Sequence, residues 1–170
     1  MVSYSTVYSD QGEFTHIEDG RNEFTKMTRD VNEHHIYNML CTTRDESNGV
    51  VNGVVNVVQV SDNSVTLEQL DICLDKYTIA DIKSEMVEVK DYLQSMGIMY
   101  IDWKPDNIGI SRVDGRLKLF DFDASGIIDI QSNNWLYNPP TYWAYRDAIA
   151  AGMKTPTEID DYAFNIGFST

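Results

Sequence analysis

The residues best suited to chemistry lie in one stretch, 100–123, YIDWKPDNIGISRVDGRLKLFDFD. Asp102, Lys104 and Asn107 stand at short fixed intervals, and Asp121 and Asp123 follow nineteen and twenty-one residues after Asp102. Between them Asp114-Gly115 is a strong two-residue hairpin signal. With that turn, Val113 pairs with Arg116 and Ile108 falls opposite Asp121. Asn107 and Asp121 become diagonal neighbours about 5–8 Å apart at the open end. An amide oxygen and a carboxylate at that separation can share a hard cation such as Mg2+, which takes one or two oxygens from protein and fills the rest with water and phosphate. Asp102, on the incoming loop, can accept a hydroxyl proton. Lys104 brings positive charge toward a transferring phosphoryl group, and Pro105 stiffens the loop between Lys104 and Asn107. Asp123 reads either as a second metal ligand or as an exposed turn residue. The chemistry that fits is phosphoryl transfer from a magnesium-bound triphosphate.

Positioning these groups takes a scaffold, and its elements are visible in the pattern. Val7-Tyr8 and the run from Phe14 to Ile17 flank Gln11-Gly12 and predict a hairpin. Residues 22–40 carry apolar side chains at Phe24, Met27, Val31, Ile36, Met39 and Leu40, which predicts an amphipathic helix. A polar loop follows at 44–48. The β-rich runs 54–60 and 64–70 flank Asp62-Asn63 as a second hairpin. The clearest helix covers 79–96, with Ile79, Ile82, Met86, Val89, Leu93 and Met96 three and four apart, Thr78 and Asp81 as an N-cap pair, and Gly97 as the stop. Strands at 108–113 and 116–120 form the hairpin already named. A loop containing Pro139-Pro140 precedes a last helix at 157–168.

Composition bounds the rest. At 170 residues the chain makes one domain, or one domain of two small lobes. The formal net charge of −14 argues against a general nucleic-acid or anionic-membrane surface, since both need a positive field, and fits a basic partner better than an acidic one. Cys41 and Cys73 have no metal-like spacing and are expected reduced and partly buried. The N-terminus lacks the basic start and apolar run of a signal peptide, and no apolar stretch is long enough to span a bilayer, so a cytoplasmic protein is expected.

The run Asp102-x-Lys104-Pro105-x-Asn107 followed by Asp121-Phe122-Asp123 resembles the catalytic loop and metal-binding motif of the eukaryotic-type protein kinase family, H-R-D-L-K-P-x-N and D-F-G. The helix ending at Gly97 matches the one before that loop. The segment from Thr141 to Arg146 is similar to the family's T-x-x-Y-x-A-P-E stretch, and Asp160-Asp161-Tyr162-Ala163-Phe164 to its D-x-Y-x-F-G. The resemblance implies an α+β protein kinase-like fold of two lobes, with a reduced N-lobe over 1–69 and, over 70–170, a helical C-lobe truncated near its first large helix. It implies Asp102 as catalytic base, Lys104 on the γ-phosphate, and Asn107 and Asp121 on magnesium; Asp123, in place of the family's glycine, stays open between a second metal ligand and a turn residue. It implies Glu33 as partner of a phosphate-anchoring lysine and Leu70 and Asp71 in the hinge that meets ATP.

Departures qualify what is implied. No Gly-x-Gly-x-x-Gly run occurs before residue 30. No lysine precedes Lys26, which stands only seven residues before Glu33, too near for a lysine on a preceding strand. His16, seventeen residues before Glu33, has the expected spacing, with Arg21 or Lys26 as substitutes from elsewhere. Ile101 replaces the arginine that pairs with a phosphorylated activation segment. Tyr100 replaces the family histidine and reads as bracing. Ser125, Ser132 and Thr141 are candidate self-phosphorylation positions. A trimmed member of this kind is similar to minimal kinases of large viruses and bacterial effectors. The function implied is ATP- and Mg2+-dependent transfer to a Ser/Thr hydroxyl of a protein. The alternatives are a pseudokinase acting as a protein-binding module, possible regulatory partners included, and an aminoglycoside- or choline-type small-molecule kinase.

Overall fold

A computed structural model describes the backbone of residues 3–9, 12–18, 23–42 and 53–169, and the side chains of 23–42 and 53–169. The polar loop expected at 44–48, Arg21 and the side chain of His16 lie outside the described residues.

The N-terminal part is an antiparallel sheet of five strands in the order β1-β2-β3-β5-β4. They are β1 (Ser3–Ser9), β2 (Gly12–Glu18), β3 (Glu23–Met27), β4 (Val57–Val60) and β5 (Ser64–Glu68). Both expected hairpins form, with Ser9 opposite Gly12 and Val60 opposite Val65. The helix expected over 22–40 does not. Residues 23–27 pair with β5 as β3, and the helix α1 spans Val31–Thr42. Phe24, Met27 and Val31 satisfy helical spacing, but sheet pairing from Glu23 to Met27 overrides it. Asp30 Oδ1 accepts the Glu33 N–H at 2.8 Å and starts the helix there.

The C-terminal part follows a short strand β6 (Leu70–Asp71). Helix α2 (Ile79–Ser95) has the expected Thr78–Asp81 capping box and buries Ile82, Met86, Val89 and Leu93 along one stripe. Gly97 ends it at φ +78°. Next come β7 (Ile98–Met99), a 3-10 turn at Pro105–Asn107, β8 (Ile108–Ser111) and β9 (Leu117–Leu119). Strands β10 (Gly126–Asp129) and β11 (Asn134–Trp135) lead to α3 (Trp143–Ala150) and α4 (Pro156–Gly167). Two three-stranded sheets, β11-β10-β7 and β6-β8-β9, hold the segments around the motif.

The catalytic hairpin has a different register from the one the sequence suggests. Ile108 pairs with Leu119 and Ile110 with Leu117, so the loop is wider, with Ser111 and Arg116 closing it at 2.9 Å. Ser111 Oγ accepts the Val113 N–H and Asp114 Oδ1 the Arg116 N–H, and these side-chain bonds favour the wider turn. The shift is two residues, which preserves the face of every side chain. Asn107 still ends beside the approach to Asp121, its carbonyl accepting the Phe120 N–H at 2.9 Å.

One continuous core joins both parts. Ile36, Tyr37 and Leu40 of α1, Val54 and Val55, and Leu67 of β5 pack with the α2 stripe, Tyr100, Trp103, Phe122 and Phe164. Across the junction the Leu119 carbonyl accepts the Val55 N–H, and the Leu119 N–H donates to the Gly53 carbonyl. The expectation that both cysteines are partly buried holds for Cys41 only, since Cys73 is exposed.

Candidate active site

Lys26 sits on β3, and α1 begins after only three intervening residues. The Lys26 ammonium therefore meets Glu33, in the first turn of α1, at 2.5 Å, and reaches Asp121 Oδ1 at 3.0 Å. This corrects the reading that Lys26 is too close to Glu33 to anchor it. Seven residues suffice because the strand stops at Met27 and Glu33 is already in the helix's first turn. Alternating strand register puts Lys26 on the cleft face. The β-prone Phe24-Thr25 pair is the one local signal that marks 23–27 as a strand. Burial alone would push the Lys26 pKa down, but the field of Tyr37, Asp121 and Glu33 more than offsets this and holds it well above the ordinary value.

Asp102 is buried. Its Oδ2 accepts from Lys104 Nζ at 2.9 Å and from Asn107 Nδ2 at 2.8 Å, while Oδ1 has no protein partner among the described residues. Lys104 also donates to Tyr142 Oη at 3.2 Å. Burial lowers the Lys104 pKa, but its hydrogen bonds to Asp102 and Tyr142 raise it more.

The backbone around Asp102 is held by an unusual conformation. Ile101 has φ +67° and its N–H donates to Asp160 Oδ1 at 2.9 Å; Trp103 Nε1 donates to the same oxygen at 2.8 Å. Asp160 also takes Gln94 Nε2 at 2.9 Å. Burial raises the Asp160 pKa in spite of these donors. Trp103 is core: it is buried and packs edge-on against Phe164. Tyr100 braces the second motif as expected. Its hydroxyl donates to the Phe120 carbonyl at 2.5 Å and its ring meets Phe122 edge-on.

Asp121 has φ +61°, which turns its carboxylate to Lys26. Asp123 is not the exposed turn residue that one reading made it. It is half-buried and pairs with Arg29 at 3.0 Å. Burial and the neighbouring charge of Asp121 raise its pKa to about 6. Asp121 and Asp123 lie near enough for the charge of one to act on the other, a repulsion that a cation would relieve, and Asn107, whose backbone carbonyl accepts the Phe120 N–H, carries an amide oxygen of the kind Mg2+ takes.

The remaining expected positions are spread out. Leu70 and Asp71 lie in β6, opposite Ser111 and Ile110 of β8. Leu70 packs where Gly109 leaves room, since a β-carbon on Gly109 would stand 2.6 Å from Leu70 Cβ. Asp71 turns back to accept the Cys73 N–H. Glu68, which no motif singled out, accepts from Lys118 Nζ at 2.8 Å and from Ser111 Oγ at 2.9 Å in a buried network tying β5 to the hairpin. Ser125 is buried with its hydroxyl on the Tyr100 carbonyl, which removes it from the modification candidates; Ser132 and Thr141 are exposed. A cavity of about 750 Å³ opens beside Asp102 and Lys104, bounded by Arg29, Asn32, Tyr137 and Tyr142.

The N-terminal sheet and α1 meet the C-terminal part at a lysine–glutamate–aspartate cluster, beside a loop carrying a buried aspartate and asparagine, which is the arrangement of a protein kinase domain. The family model for the protein kinase domain matches residues 7–163, and the chain belongs to that family. A comparison with curated proteins found no match. Members of the family transfer phosphoryl groups from ATP, with Mg2+, to protein substrates. Among the described residues no helix is long and apolar enough to cross a membrane.

Proposed function

We propose that this chain transfers the γ-phosphoryl group of ATP to a serine or threonine hydroxyl of a protein, with Mg2+ held by Asn107, Asp121 and Asp123. One observation carries the reading: the partly buried ammonium of Lys26 is held between Glu33 and Asp121. That assembly aligns phosphate and metal-binding groups, so positioning and charge neutralisation do most of the work. Lys26 holds the phosphates and takes the role the spacing had given to His16. Leu70 and Asp71 supply hinge backbone for the base. Asp102 takes the substrate proton on its unpartnered oxygen, and Lys104 neutralises the developing charge. Bound Mg2+ would supply further neutralisation of the phosphate oxygens. The hydroxyl preference rests on Asp102-x-Lys104-Pro105 alone. The acidic surface fits a basic substrate, and the composition a cytoplasmic site.

A second reading, a protein-binding module that keeps the fold without transfer, is favoured by the missing Gly-x-Gly-x-x-Gly run before Lys26. Labelled ATP with Mg2+ and generic basic proteins separates the two. Transfer by the wild type that is lost in Asp121→Ala and Asp102→Asn supports the kinase. Nucleotide binding without transfer supports the module, and label on an aminoglycoside or choline alone would move the activity to small molecules.

A further inference from the structure

The segment from residue 124 to residue 142 runs from the metal-binding motif to Tyr142, beside Asp102. Asp129 is its only charged residue. Ile101, before the catalytic aspartate, is fully buried and apolar, so no cation there can draw in an added phosphate. The segment is nonetheless held at four points, none of which uses a phosphate. Asn133 Nδ2 donates to Thr157 Oγ1 of α4 at 2.9 Å. Trp135 lies over Gly126, where a β-carbon would stand 2.4 Å from its ring. Tyr142 accepts from Lys104. The fourth contact is with α1. Asn32, nine-tenths buried, donates from Nδ2 to the Asn138 carbonyl at 3.2 Å, and His35 stacks on Tyr137 with ring centroids 5.3 Å apart and planes 6° from parallel.

Asn32 and His35 are three apart on α1 and share a face. Glu33, between them, faces Lys26 instead. One helical turn therefore holds the nucleotide-side ion pair on one side and the segment on the other. Pro139 and Pro140 follow Asn138 at once, and their fixed φ carries the order to Thr141 and Tyr142. We infer that Asn32, His35, Tyr137 and Asn138 form a clamp that orders the segment against α1 without phosphorylation, and that they are positioning residues for the protein substrate. The inference rests on the kinase reading for its effect on rate, but not for the clamp itself.

Hydrogen exchange over 124–142 tests it in full-length protein, phosphatase-treated and shown by intact mass to carry no phosphate. Slow exchange in the wild type and in Tyr137→Phe, with fast exchange in Asn32→Ala/Tyr137→Ala at unchanged circular dichroism, is the expected result. Fast exchange in the phosphate-free wild type, or unchanged exchange in the double variant, overturns the clamp. In transfer assays the double variant should lose about three- to thirty-fold in kcat/KM for the protein substrate while KM for ATP stays within about twofold, and Tyr137→Phe should retain wild-type values. Full kcat/KM in a double variant with a released segment overturns the positioning role. If the wild type transfers nothing, the kinase reading fails while exchange still decides the clamp.

Discussion

Gly167, at the end of α4, lies against the backbone of Trp103 so closely that a β-carbon on it would stand 1.7 Å from the Trp103 carbonyl oxygen. The last turn of α4 is thus seated directly on the catalytic loop, next to the base. Gly167→Ala must push that helix off the loop or move Asp102. The expected result is a loss of about 1–3 kcal/mol, or more, with a fall in transfer. Gly115→Ala, at φ +71° with open space around it, carries only the conformational penalty of about 1–2 kcal/mol and should leave transfer intact. Thermal unfolding and rate assays on the pair check this. Equal rate losses would show that α4 does not position the loop.

Lys26→Met should abolish most transfer, about a hundredfold or more, because phosphate and Asp121 both lose their shared cation. His16→Ala should leave the rate within about twofold. Steady-state kinetics with ATP decide it, and the opposite pattern would return the anchoring role to His16.

Lys118 and Glu68 form a buried ion pair at 2.8 Å, 1% and 8% exposed at the side chain. Lys118→Met leaves the Glu68 carboxylate buried without its cation and should cost about 3–5 kcal/mol. Lys118→Met/Glu68→Leu should recover much of that loss. Chemical denaturation of the single and double variants measures it, and a double variant no better than the single would mean that the network acts through its hydrogen bonds to Ser111 and Asn56.

Asp123 gives a pH dependence with a definite sign. Its folded pKa, about 6, is raised above the ordinary 3.8 by burial and by Asp121. The folded state therefore binds more protons than the unfolded state between those values, and wild-type stability falls as pH rises from about 4 to about 6. Asp123→Asn removes that loss. Without divalent cations the variant should unfold at a higher temperature than the wild type at pH 7.5, and the gap should narrow by pH 5. Scans at both pH values check it, and a gap that widens toward pH 5 would contradict the assigned environment.

The parts of the site legible in the sequence were those fixed by short spacing. Asp102, Lys104 and Asn107 share one loop, and the hairpin delivers Asp121 whatever its exact register, because a shift of two keeps the faces. α2 announces itself through its stripe and caps. The Lys26–Glu33 pair was hidden because Phe24, Met27 and Val31 mimic a helix, and only pairing with β5, some forty residues later, shows 23–27 to be a strand. Helix α3 was missed because its residues were read as a motif rather than by period. The contacts of Asn32 and His35 with 137–138 carry no local signal, being set by the way the segment folds back over α1.

Only Thr28, Arg29 and Asp30 separate β3 from α1, a bridge of about 11 Å at full stretch. It is further tied by Thr28 to Asn63 and by Arg29 to Glu33. On so short a leash the helix has no room to swing outward as a rigid body and carry its glutamate away. Drawing Glu33 off Lys26 means pulling Thr28 from Asn63 and loosening β3, the central strand of its sheet, so parting the pair costs ordered structure rather than a hinge movement.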